Sequence, residues 1–377
     1  MIKNNRYQGF TLLRSMLPML PMLLAVACNS GAKQQHSSAG IDSTRGSLFE
    51  EQKVLDTTVV TRDGNTPFTE KYVISRTEVA LKQAPSMQAK TMEKAHYGDS
   101  FEVIEDLGEW LAVWSKERYP FAGEHDGKPR VVTASRKIFI PKAAVGGRSA
   151  LKLYVEDAKI VTTVTPEGRK SRYEEQGFPL SEYLDITLIT ANDYRVKKAE
   201  RYEALLLDTV DHPKVDGKLV LKTKAKELIF NDSPPEAEET RADYCYIGQI
   251  PALESYVVSG NYYESSDYKL IDKNTGKTQV ELEDYPLLSP DGKHLLSFHA
   301  DPYEMTEEVA IYSIQGAKIS KVVSLSFKHW MGSVTRGDVF FSKDGAIYLP
   351  VAYNKIYWSE DGHIDSAKQF MKVTLLK

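Results

Sequence analysis

Cys28 is the residue whose type and position promise the most definite chemistry. It closes the apolar stretch 16–27 directly after Ala25, Val26 and Ala27. Small residues in front of it form the pattern of a peptidase cleavage site at the end of an apolar run. The second cysteine, Cys245, lies between Tyr244 and Tyr246, a setting that predicts a buried, inert thiol without a disulfide partner. His294 and His299 are five residues apart, so on a strand they point to opposite faces and do not chelate one metal. Asp272, Asn274, Gly276 and Glu283 echo a calcium loop, but Lys277 stands where that loop needs glycine, and a hairpin turn is expected instead. Glu236, Glu238 and Glu239 follow Ser233-Pro234-Pro235 and read as solvated charge. The sequence has no Gly-x-Ser-x-Gly, no His-Glu-x-x-His and no phosphate-binding glycine loop. No catalytic residue, metal ligand or cofactor is therefore expected. Trp110, Trp114, Tyr119, Phe121 and Phe139 form an aromatic set of another kind, because flat rings stack on sugars or prolines at low entropic cost. The spacing of Trp110 and Trp114 puts both on one side of a strand, whether they meet a ligand or pack a core.

The segment that delivers Cys28 is residues 1–27. Lys3, Arg6 and Arg14 give it a positive start with no acidic residue, and its apolar run is too short to span a bilayer. Leu24-Ala25-Val26-Ala27-Cys28 resembles the lipobox of bacterial lipoproteins, with Ala25 where leucine is commonest. That resemblance implies cleavage before Cys28 and acylation of its sulfur. Asn29, in place of aspartate, implies sorting to the outer membrane. Each buried methylene is worth ~0.8 kcal/mol, so two or three acyl chains anchor a protein essentially permanently. Residues 28–50, polar and rich in small residues, read as a flexible tether.

Composition bounds what the tether carries. The chain has 48 Lys+Arg against 52 Asp+Glu, and without residues 1–27 the balance is 45 against 52, a net charge of −7. Nothing there resembles the basic surplus of a nucleic-acid binder. Two cysteines exclude a disulfide scaffold. A hydrophobic content of 42% suffices for sizeable cores, and 21 tyrosines favour strands. An all-β fold follows.

Two β domains are expected, at 70–146 and 151–377. In the first, short apolar runs alternate with turns, and Val79-Ala80-Leu81, Ala84-Pro85-Ser86, Gly98-Asp99-Ser100, Phe101-Glu102-Val103, Glu109-Trp110-Leu111-Ala112-Val113 and Ile138-Phe139-Ile140-Pro141 follow in order. This series resembles the bacterial SH3 domain family and implies a small barrel. Members of that family often bind peptidoglycan or dock onto proteins. Two departures stand out: Lys137-Ile138-Phe139 replaces the usual Gly-Trp-Val, and an insertion runs from Ser115 to Arg136.

The second region is almost continuously strand-like, and 192–206 is its best candidate for a helix. Ser289-Pro290-Asp291-Gly292 recurs as Ser342-Lys343-Asp344-Gly345 and as Ser359-Glu360-Asp361-Gly362, with a weaker echo in Thr165-Pro166-Glu167-Gly168. In each turn glycine supplies a positive φ and the acidic residue caps the loop. The stretch around Ser289 resembles a blade of a Tol-type or WD-repeat β-propeller, so a propeller-like domain is expected. The region is short for a full ring, which leaves an incomplete propeller or a related sandwich open.

Together these features describe a lipid-anchored, non-catalytic binding or docking module of the cell envelope, its partners the membrane through Cys28 and either peptidoglycan or a protein. Two alternatives stay open. One is an envelope hydrolase in which polar groups such as His294, His299, His329 and Asp301 converge; the other is an inhibitor or immunity-type binder of another protein. Cys28→Ser is expected to move the protein from the membrane fraction to the soluble fraction on cell fractionation. Undiminished membrane retention of that variant would overturn the anchor.

Overall fold

Alternating apolar residues cut short by glycine turns favour strands over helices, and strands dominate the chain. The computed structural model describes residues 69–376 except 126–127, 174–179, 235–238, 264, 302–303, 334, 336 and 359–368. The leader, Cys28, the tether, Glu236, Glu238 and the turn at 359–362 lie outside the described residues.

The first sheet contains β1 (Thr69–Val73), β2 (Val79–Lys82), β3 (Thr91–Ala95), β4 (Ser100–Asp106) and β5 (Trp110–Trp114). The insertion forms a separate hairpin, β6 (Tyr119–His125) and β7 (Lys128–Ala134), before β8 (Lys137–Pro141), a 3-10 turn at Lys142–Ala144 and β9 (Val145–Gly146) return to the sheet. The strand order is β3-β2-β8-β5-β4-β1-β9. Val73, Leu81, Phe101, Leu111, Val113, Ile138 and Ile140 make its core. Among the described residues the closed barrel implied by the SH3 resemblance is not formed. The strand path has two ends, and β9, two residues long, pairs with β1 and leaves β3 unclosed.

The rest of the chain supplies α1 (Val155–Ala158), β10 (Val161–Pro166), β11 (Arg172–Tyr173), β12 (Leu184–Ile189), α2 (Ala191–Ala199), β13 (Lys218–Lys222) and β14 (Glu227–Asn231). Next come β15 (Ala242–Ile250), β16 (Ser255–Tyr262), β17 (Ser266–Asp272), β18 (Thr278–Leu282), β19 (Leu287–Leu288) and β20 (His294–Asp301). The last strands are β21 (Thr306–Gln315), β22 (Lys318–Phe327), β23 (Trp330–Gly332), β24 (Phe340–Phe341), β25 (Ile347–Tyr353) and β26 (Gln369–Leu375). They form a six-stranded sheet β11-β10-β22-β21-β20-β19, a sheet β12-β26-β25-β23 with β24 beside β25, a four-stranded sheet β15-β16-β17-β18 and the hairpin β13-β14.

These sheets pack face to face. Phe298, Val309, Ile311, Val323 and Leu325 of the six-stranded sheet meet Ile186, Ile347, Leu349, Met371 and Val373 of the sheet on one side. From its other face Leu295 and Tyr312 reach Ile250, Val257 and Leu270 of the four-stranded sheet. The outer face of that sheet is covered by Leu219 and Leu221 of the hairpin, and the far face of the β25–β26 sheet by Tyr194 of α2. The meanders β15–β18 and β19–β22 have the four-stranded form of propeller blades, but both ends of the stack are capped, and no ring closes among the described residues.

Thr190 and Asp193 form a reciprocal capping box that starts α2. The helix stops at Ala199, short of the expected 192–206. Beyond it Arg201 bridges to Ser342 and Leu206 to Gln249, so the chain becomes a strap between two sheets. The two Ser-x-Asp-Gly turns among the described residues form as expected: Gly292 and Gly345 have φ of +70° and +84°, and Asp291 and Asp344 accept the N–H two residues on.

The small sheet and the larger body share contacts. Tyr72 of β1 belongs to the larger core. Arg76 donates to both oxygens of Asp157 at 2.6 and 2.9 Å, and its guanidinium lies 4.8 Å from the Tyr97 ring and 4.3 Å from that of Tyr154. Tyr97 donates to the Lys152 carbonyl and accepts from its N–H. Next to it Gly98 has φ +83°, and a β-carbon there would come within 2.5 Å of the Tyr353 hydroxyl. Gly98→Ala is expected to lose about 2–4 kcal/mol of stability through left-handed strain and overpacking. Chemical denaturation checks this, and a loss below about 0.5 kcal/mol would show the contact is slack.

Candidate functional site

The antiparallel register of β5 and β8 decides where the aromatic set points. Trp110 pairs with Pro141, Ala112 with Phe139 and Trp114 with Lys137. Leu111, Val113, Ile138 and Ile140 fill the core, so Trp110, Trp114 and Phe139 share the opposite face. The two tryptophans are half-buried and stand about 13 Å apart along the strand, with buried Phe139 between them on the neighbouring strand. Lys137 lies 5.9 Å from the Phe139 ring and pairs with Glu105 at 2.6 Å.

Tyr119 does not join that face. Its hydroxyl donates to Glu93 of β3 at 3.2 Å, and burial with the neighbouring carboxylates pushes its pKa up. The buried Arg136 lies over its ring at 5.1 Å. Phe121 is buried, 5% exposed. Trp110, Trp114 and Phe139 thus share one face of β5 and β8, while Tyr119 stands against β3.

The histidine set does not assemble as one site. The unbroken register of β20 with β21 sets His294 and His299 on opposite faces. His329 stacks against Tyr353 at 6.2 Å, and Asp301 accepts the N–H of Glu304 in the β20–β21 turn. His299 Nδ1 is 3.9 Å from Asp284 Oδ2, and this carboxylate raises the imidazole pKa against the opposing effect of burial. Asp272 accepts the N–H groups of Asn274 and Thr275 with Gly276 at φ +67°, the expected hairpin turn. Cys245 corrects an expectation: the thiol is exposed. Tyr244 and Tyr246 both turn toward the β13–β14 hairpin, so the residue between them points away, on an edge strand.

Two neighbouring cavities of about 240 and about 80 Å³ open at the seam of the three stacked sheets, sharing Tyr285, Leu287 and Val339 as walls. Leu205, Ile250 and Phe340 line the larger, and Arg201 and Glu203, paired at 3.0 Å, stand at it as well. Asp284, Ser333 and Thr335 line the smaller. An apolar slot with a few polar groups is a binding geometry. Comparison of the chain with family models, with curated proteins and with solved structures returns no match.

Sequence reasoning did not single out Glu307. It is 2% exposed and accepts the Gly332 N–H at 2.7 Å. Its signal was its phase: Glu307 alternates with Val309 and Ile311, which face the core. Burial pushes its carboxyl up to about 8 from an ordinary 4.5. The folded state then holds a proton that the unfolded chain releases, so stability is greatest below the ordinary value and falls as pH rises toward about 8. His299, also raised, adds a loss of the same sign as pH passes through its folded value. Glu307→Gln, which mimics the protonated acid, is expected to match the wild type near pH 5 and to exceed it by at least about 2 kcal/mol at pH 9. Thermal melts at both pH values check this, and equal pH dependence in the two proteins would contradict it.

Proposed function

We propose that this protein is a lipid-anchored component of the bacterial outer membrane that binds, without catalysis, a cell-wall polymer through the two half-buried tryptophans on the face of its first sheet opposite the core. The reading joins three features. The sequence around Cys28 provides an anchor, residues 28–50 provide reach, and β5 and β8 provide a face with two half-buried tryptophans. The β5–β8 register carries the reading, because it sets Trp110 and Trp114 on the side away from the sheet's core with Phe139 between them. Indole rings spaced along one strand suit an extended chain of sugars or a peptide, since each adds large contact area while fixing few torsions. The polar partners Lys137 and Glu105 at the same face supply hydrogen bonding at its edge.

The full mature chain is expected to co-sediment with purified peptidoglycan. Truncation of a stacked aromatic anchor commonly costs about 2 kcal/mol, so Trp110→Ala and Trp114→Ala should each weaken co-sedimentation at least about tenfold, with circular dichroism unchanged. Wild-type binding by both variants would remove the aromatic face from the function. A wild-type protein that leaves peptidoglycan in the pellet and recovers one protein from envelope extracts would replace the polymer with a protein partner.

A further inference from the structure

Three turns meet at one end of the packing between the β13–β14 hairpin and the four-stranded sheet: 223–226, 251–254 and 273–277. Between them lies a cavity of about 500 Å³. Its cations are Lys222, Lys224 and Lys273, and Lys226 crosses the neighbouring turn beside Gly276. None of these four lysines has a carboxylate within ion-pair distance among the described residues, whereas Lys214 and Lys269 nearby are paired with Asp232 and Asp267.

Lys273 is nevertheless held in place. Its ammonium donates to the Gln249 side-chain carbonyl and lies 4.7 Å from the centre of the Tyr256 ring. Gln249 in turn donates to Asp208, which also accepts the Tyr246 hydroxyl at 2.7 Å. Tyr256 is fixed by its own hydrogen bond to the Lys222 carbonyl at 2.8 Å. The network orients the ammonium through a neutral amide and a ring face, so its charge remains available to the cavity. Glu254 is the carboxylate in the lining. It accepts from Asn274 at 2.7 Å and sits at φ +47°, a strained conformation for a residue with a side chain.

We propose that this cavity binds a phosphorylated sugar. Lysines without arginine favour a compact anion whose oxygens accept from several directions over a planar carboxylate, which the arginine fork suits better. Phosphate alone is too small for the space, which lies in the range of small-molecule pockets. Pro251 supplies an apolar wall for a sugar ring, and the side chains of Asn274 and Glu254 present polar atoms to its hydroxyls. This site is separate from the aromatic face of β5 and does not rest on the function proposed for it.

The test is calorimetry of the full-length Cys28→Ser chain with glucose 6-phosphate, with glucose as the uncharged control, and flotation with phosphatidylcholine vesicles with and without lipid A. The expected result is binding of glucose 6-phosphate but not glucose, weakened by added salt. Lys224→Ala with Lys273→Met should weaken it at least tenfold, and Lys222→Ala with Lys224→Ala, at two exposed positions, keeps the test valid if the first pair fails to fold. Vesicle binding that requires lipid A and is lost in these variants assigns the site to a phosphorylated lipid headgroup. Binding of the soluble phosphosugar without vesicle capture assigns it to a free one. Equal response to glucose and glucose 6-phosphate, or variants within twofold of the parent for every probe, would overturn the proposal.

Discussion

At β20 and β21 the six-stranded sheet is covered on both faces, and the larger body is organised around that fact. Leu295 and Leu296 are consecutive, both fully buried, and serve different cores. Antiparallel sheets usually leave one face to water. Here β20 and β21 give up that face, and each fully buried aliphatic side chain returns about 1.5–3 kcal/mol. The sheets on either side are then set by what they must cover. Ile186, Leu349 and Val373 line one side, Val257 and Leu270 the other, and the outer faces of those two sheets are covered in turn by α2 and by the β13–β14 hairpin.

A layer without solvent leaves its polar groups to find partners inside. Trp330 is fully buried, and its indole N–H donates to the Ala158 carbonyl at 3.1 Å. Asn354 holds two carbonyls, those of Met305 and Lys328. Glu307 meets the same demand differently: burial favours its neutral form, which avoids leaving a charge in the core. The aromatic face and the lysine-lined cavity lie outside this central layer, where side chains can stay half-exposed at no such cost.

Local chemistry was legible wherever one turn or one strand decides the outcome. Gly292 and Gly345 signal left-handed turns by residue type, and Trp110 and Trp114 share a face because four is an even number of strand residues. The strand character of the chain followed from its alternating pattern. What stayed hidden depends on residues far apart in sequence. Tyr72 and Arg76 look like members of the small sheet alone, yet their partners lie in the larger body, including Asp157. Cys245 reads as buried between two tyrosines until the hairpin they turn toward is known. The lysine cavity draws on three turns that sequence places well apart, and no spacing rule connects Lys224 with Lys273. Ring closure was equally invisible, since it depends on what covers the end sheets and not on the form of any one meander.

The position of β26 has a consequence in time. In its sheet β26 lies between β12 and β25, so residues 369–375 are an inner strand and Leu184 pairs with Leu375. While the chain emerges in order, β12 waits for its neighbour until nearly the whole body has appeared, and the core that receives Met371 and Val373 stays open. Contacts of such long separation form slowly. A chain arranged this way delays the completion of its own core until β26 pairs with β12 and β25.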